Sequence, residues 1–205
     1  MTEPILHSIF PTTVAFHNLD REFTQEEKDF FTEMGKTRVQ NMGNVASADN
    51  YLMRHEVMKD INASILTAVN HYIDTIIKPS TKVEPYVTQA WLNFTEPGQY
   101  HHKHEHPNSF ISGVLYINAE ENVDRITLYD SVGYQQLKLY SKEHTWHNSS
   151  SWWFNVKTAD IIVFPSSLTH MVEQTKSGDT RVSLAFNTFL KGHLGDNFEL
   201  TELKL

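Results

Sequence analysis

The 205-residue chain contains no cysteine. That excludes a disulfide framework, a thiolate metal site and a cysteine nucleophile, so a bound metal must be held by imidazole and carboxylate. Basic residues are in deficit as well: 17 Lys and Arg stand against 25 Asp and Glu, for a formal net charge of −8, and there is no Lys/Arg run. Nucleic acid and anionic membrane surfaces repel such a chain, so neither is expected as a partner. No stretch approaches the roughly 18 consecutive apolar residues of a membrane span. Met1-Thr2-Glu3-Pro4 lacks the basic and apolar segments of a secretory signal. These absences predict a cytoplasmic protein. Also missing are internal repeats, low-complexity segments, a basic groove, an aromatic cage and a glycine-rich phosphate loop.

With 40% hydrophobic and 12% aromatic residues, the chain can bury one good core. The organisation expected is a single domain over 1–205: a helical N-terminal part to residue 82, a β core over 83–190 and a polar surface tail over 191–205. Ile5 to Phe16 is β-branched and aromatic and predicts a strand joining the main sheet, interrupted or placed at an edge by Pro11. Thr24-Gln25-Glu26-Glu27 has the hydroxyl and carboxylate of a capping box and opens a helix through about Thr37. The polar segment from Gln40 to Asn50 reads as a loop. From Glu56 to Lys78, the residues Val57, Ile61, Ile65, Val69, Tyr72 and Ile76 recur at spacings of three and four, which predicts a helix packed on a sheet and closed by Pro79.

From Val83 the pattern changes to nine short strand-like runs: 86–94, 100–104, 109–118, 125–129, 135–140, 151–156, 160–164, 169–174 and 180–190. Such a series predicts antiparallel β structure of the double-sheet jelly-roll type, mainly β with helices packed on one sheet.

Chemistry gathers in Gly98-Gln99-Tyr100-His101-His102-Lys103-His104-Glu105-His106-Pro107, which holds four of the twelve histidines within six positions. On a strand, His104 and His106 point to one face. A third ligand from a distant strand completes a facial triad with open positions for substrates. His170, after the apolar Ile161 to Phe164 and a Pro-Ser-Ser turn, is the best candidate. The pair His102 and His104 has the same spacing, and His101 is a candidate supporting group. Arg181 and Ser183 share a strand face and together make a carboxylate receptor. Tyr116 can face the same cavity. Trp91, Trp146, Trp152 and Trp153 are candidates for lining the substrate side.

Together, His104-x-His106, Ser112-Gly113-Val114-Leu115-Tyr116, Phe164-Pro165-Ser166-x-x-x-His170, Arg181-x-Ser183 and Phe186-Asn187 resemble the Fe(II)/2-oxoglutarate-dependent oxygenases found in marine phages and bacteria. The resemblance covers roughly Gln89 to Asn187. It implies a double-stranded β-helix (cupin-like) that binds Fe(II), 2-oxoglutarate and O2 and oxidises a further, unidentified substrate, typically by hydroxylation. It makes His104, His106 and His170 the catalytic metal ligands, and Arg181, Ser183 and Tyr116 the cosubstrate contacts. A phage-encoded member would work in the host cytoplasm, and a homodimer is compatible with the pattern. His106 departs from the superfamily, which has Asp or Glu there; a neutral ligand leaves the site one negative charge short.

Two rivals follow from the same residues. One is a cupin metalloenzyme that does not use 2-oxoglutarate, although the glutamate of the cupin motif is missing where this chain has Ser109-Phe110-Ile111. The other is a non-catalytic jelly-roll binding or structural protein with a closed metal site.

Overall fold

The structure, a computed structural model, describes residues 4–5, 7–130 and 141–205. The first helix, α1 (Gln25–Met34), starts where the capping box predicts. The Glu27 N–H donates to Thr24 Oγ1 at 3.2 Å and the Thr24 N–H donates to Glu27 Oε2 at 2.8 Å. The second, α2 (Lys59–Tyr72), is preceded by a 3-10 turn at Glu56–Met58 and runs on as a wider turn over Ile73–Ile77. It stops at Lys78, whose φ of 50° is left-handed, before Pro79, because a residue preceding proline is disfavoured in the α conformation. The expected stripe is buried at Ile61, Ile65, Val69 and Tyr72, while Ile76 is exposed.

The strands are β1 (Ala15–Asn18), β2 (Arg38–Gln40), β3 (Val45–Ser47), β4 (Val83–Thr95), β5 (His101–His104), β6 (Ile111–Asn118), β7 (Arg125–Tyr129), β8 (Ser151–Asn155), β9 (Asp160–Pro165), β10 (His170–Val172), β11 (Arg181–Leu194) and β12 (Leu203–Lys204). They form a large sheet in the order β1-β9-β6-β11-β4-β3-β2, with β12 on β11, and a smaller sheet in the order β5-β10-β7-β8. The named strand pairs are antiparallel. The architecture is the double-sheet jelly roll read from the spacing of the runs.

The middle of the large sheet is buried on both faces, and its strands sort their side chains by alternation. Toward the helices, Leu92, Leu115, Ile161, Val163, Leu184 and Phe186 join Ile61, Ile65, Val69 and Tyr72. Toward the smaller sheet, Val114, Tyr116, Ile162 and Phe164 join Ile126, Leu128 and Leu168. β9 serves both cores, which is why Ile161-Ile162-Val163-Phe164 is apolar throughout rather than alternating.

Three expectations change, and a fourth is not reached. The predicted first strand is confined to its end: β1 pairs with β9 at the sheet edge, well after Pro11. Residues 40–50 are not simply a loop, since β2 and β3 form a hairpin whose second strand pairs with β4 (Val45 opposite Phe94). The end of the chain is not simply a tail, because β11 continues to Leu194 and β12 folds back onto it. The predicted strand at 135–140 lies outside the described residues. No helix among the described residues is long and apolar enough to cross a membrane.

Candidate metal centre

The small sheet positions the histidines. His170 opens β10, directly after the tight turn in which the Leu168 N–H donates to the Pro165 carbonyl at 2.8 Å. In register it lies opposite His104 of β5 on one side and Leu128 of β7 on the other. His106 does not share a strand with His104 as the alternation argument supposed, because β5 ends at His104. It is brought in by the same turn, its N–H donating to the Ser166 carbonyl at 2.9 Å. The three imidazoles converge nonetheless: one ring nitrogen from each of His104, His106 and His170 lies within 4.8 Å of the others.

The neighbouring carbonyls decide how two of these rings present themselves. His104 Nδ1 lies 2.7 Å from the His102 carbonyl and His170 Nδ1 lies 2.9 Å from the Leu168 carbonyl. A carbonyl only accepts, so in both rings Nδ1 carries the proton and the Nε2 lone pair is free for a metal. Burial keeps the group neutral. It lowers His170 to about 3, with the His104 charge adding to the effect, and lowers His106 to about 4 for the same two reasons. His104 is lowered as well, by burial first, against the opposing pull of the His102 carbonyl. Three neutral nitrogen donors fit a borderline divalent ion such as Fe(II) and leave coordination positions open. No carboxylate belongs to either metal-competent group among the described residues. The second such group, His101, His102 and His104, shares His104 with the first. A nitrogen lone pair binds one metal at a time, so the two groups are alternatives.

Beside the triad, the large sheet contributes a polar end to the same cleft. In β11, Arg181, Ser183 and Ala185 face this cleft, while Leu184 and Phe186 face the helices. Ser183 lies opposite Asn93 of β4 on one side and Tyr116 of β6 on the other. Arg181 is only 3% exposed, and among the described residues no carboxylate forms an ion pair with it. Its Nε, the Tyr116 hydroxyl and Asn93 Oδ1 are all buried without a hydrogen-bond partner. Leaving such groups unpaired costs on the order of 1–3 kcal/mol each, and more for a charge. The two donors among them, Arg181 Nε and the Tyr116 hydroxyl, suit an anionic guest. The guanidinium carbon lies 5.0 Å from the Tyr116 ring centroid. Burial raises the Tyr116 pKa, opposed by Arg181, so the phenol remains a donor.

All six residues read as site candidates therefore reach one cleft, apart from which face of a strand delivers His106. Of the tryptophans, Trp91 lines the cleft, its ring centroid 5.9 Å from that of His106. Trp146, Trp152 and Trp153 do not line it; Trp146 stacks on Trp152 at 4.2 Å, and Trp146 and Trp153 are exposed. Sequence reasoning missed Asn93. Its signal was available: a polar residue among Trp91-Leu92-Asn93-Phe94 on a strand whose neighbours are buried.

Fold and site together define a jelly-roll protein with three convergent histidines that could hold a metal beside a buried guanidinium. Residues 89–187 match the model of a family described as "Putative 2OG-Fe(II) oxygenase", and over that stretch the chain is similar to that family. Among solved structures, it is similar to an oxidoreductase of the 2OG-Fe(II) oxygenase family from Burkholderia pseudomallei, at 9% identity and a TM-score of 0.57, covering 85% of this chain and 83% of that one. HygX from Streptomyces hygroscopicus, solved with nickel, 2-oxoglutarate and hygromycin B bound, is similar at 10% identity and a TM-score of 0.59, over 86% and 82% of the two chains. At these identities the likeness is one of fold. No curated protein matches the chain by sequence.

Proposed function

We propose that the protein is an Fe(II)- and 2-oxoglutarate-dependent dioxygenase that couples oxidative decarboxylation of 2-oxoglutarate to hydroxylation of a prime substrate yet to be identified. The observation that carries this reading is a buried Arg181 without an acidic partner, in the same cleft as three neutral histidines aimed at one point. The family match and a fold neighbour that holds nickel and 2-oxoglutarate support it.

His104, His106 and His170 would hold Fe(II), which when bound supplies the redox chemistry with O2. The rest falls to the chain's own groups. Arg181 offers a planar, permanently charged fork to the far carboxylate of the 2-oxo acid, and Ser183 and Tyr116 add hydroxyl donors beside it. The walls from Val114, Ile126 and Ala185 exclude water, which strengthens these contacts. Charge favours this guest, since three neutral ligands and Arg181 leave a cationic site for a dianion.

The test is anaerobic titration of the apoprotein with Fe(II) and 2-oxoglutarate, watching for the visible charge-transfer band of the chelate. A saturable band is expected. The all-histidine triad is the one observation that favours a metalloenzyme working without 2-oxoglutarate, and iron uptake with no band would select that reading.

A further inference from the structure

His101 belongs to the cleft but not to the triad, and its environment specifies what it can do there. Its ring stacks on His104, with centroids 4.6 Å apart and planes inclined by 24°. On its other side the segment between β2 and β3 comes down onto it. That segment is tied in place by the Asn41 N–H to the Asn44 carbonyl at 3.0 Å and the Tyr100 N–H to the Gly43 carbonyl at 3.2 Å. The Asn41 side-chain amide has a defined orientation, because its Oδ1 accepts the Met42 N–H at 2.8 Å. Its Nδ2, a donor only, therefore faces His101 Nε2 at 3.2 Å. Nε2 must accept, so the proton of the neutral ring sits on Nδ1. His101 thus lines the cleft, its lone pair is already engaged, and no protein group among the described residues accepts its Nδ1–H. A ring in that state is a hydrogen-bond donor and a poor metal ligand.

We propose that His101 is a positioning residue, which through Nδ1–H donates a hydrogen bond to an oxygen of the 2-oxo acid bound beside His104, and that Asn41 sets the tautomer this requires. The inference rests on the oxygenase reading above. It also gives the β2–β3 hairpin a function: the hairpin carries the residue that orients a group in the site.

The test is isothermal titration of the Ni(II)-loaded protein with 2-oxoglutarate, comparing wild type with His101→Asn and His101→Gln. The Asn amide nitrogen falls near the Nδ1 position and keeps the donor, whereas the Gln amide falls near Nε2 and keeps only the Asn41 contact. His101→Gln is expected to bind 2-oxoglutarate about tenfold more weakly, and His101→Asn within about threefold of wild type, for one charge-assisted hydrogen bond. Both are expected to take up Ni(II) as wild type does. The reverse ranking would show that His101 merely anchors the hairpin, loss of Ni(II) from His101→Gln would make it a ligand, and equal binding in all three would leave it idle; each overturns the proposal. Independently of any variant, the ¹⁵N spectrum of the wild-type apoprotein should show His101 Nε2 unprotonated, and a protonated Nε2 would overturn the proposal. Failure of the wild type itself to bind 2-oxoglutarate would sink the oxygenase reading and this inference with it.

Discussion

Arg181 and His170 do different jobs in the cleft, and their substitutions should separate them. Arg181 is a buried cation whose partner is not a carboxylate of the described chain. Arg181→Ala removes the fork without touching the imidazoles, so the 2-oxoglutarate concentration needed for half-saturation should rise at least about tenfold, with Ni(II) uptake unchanged. An unaltered titration midpoint would remove Arg181 from the cosubstrate contacts. On the proposed reading His170→Ala deletes one of three ligands, so it should abolish metal retention while the circular dichroism spectrum keeps its native form. Metal analysis on purified protein checks this, and normal metal content would take His170 out of the triad. The sequence brought both residues forward because residue type and spacing suggest the chemistry proposed for them. It did not bring Asn93 forward, since an asparagine acquires a role only from what lies opposite it, here Ser183.

At the scale of elements, the start of α1 is held by one side chain doing several things. Buried Glu27 caps Thr24 and takes a two-pronged ion pair from Arg21, with Oε2 at 2.8 Å from Nη1 and Oε1 at 2.6 Å from Nη2. Burial alone would raise its pKa, but the Arg21 and Thr24 contacts outweigh that and lower it. Glu27→Gln keeps the shape and loses the charge, and should cost about 1–3 kcal/mol in urea unfolding; a change below a few tenths would mean the pair is screened. Gly113 is required by close approach. A Cβ there would sit 2.3 Å from Phe186 Cζ and 2.4 Å from the Ile162 carbonyl oxygen. Gly113→Ala should therefore destabilise by about 1–3 kcal/mol, and wild-type stability would show that β6 and β11 can separate at no cost. The helices were legible because capping and periodicity are local. The β2–β3 hairpin was not: Arg38-Val39-Gln40 is wholly exposed, and its strands exist because β4 offers an edge to pair with.

For the molecule as a whole, the buried histidines set a direction for stability against pH. His106 and His170 keep pKa values of about 4 and about 3 in the folded chain, against about 6.5 when unfolded. Between those limits the unfolded chain binds more protons, so stability is complete above about pH 6.5 and falls as pH falls toward the folded values. Glu27 acts in the same sense, but only below its unfolded value of about 4.5. The folded apoprotein and the Ni(II)-loaded protein both keep these rings unprotonated in this window. Their melting temperatures should therefore decline in parallel from about pH 6.5 to about pH 5, with a constant gap. If the ligands titrated in the ordinary range, the apoprotein curve would be level there and the gap would narrow.

What the sequence determined by itself was whatever depends on neighbours along the chain. That includes the helix starts, the apolar strands, the absence of thiolate chemistry and the residue types of the candidate site. The tertiary structure decided what depends on residues far apart in sequence. It brought His106 to the triad through the Ser166 turn rather than along a strand, kept the three tryptophans other than Trp91 out of the cleft, and set Asn41 against His101 across 60 residues. The physical reason is the same in each case. Backbone conformation and amphipathic pattern are local properties, whereas a tautomer, a depressed pKa or an unpaired buried guanidinium is created only when folding removes water and supplies a particular neighbour.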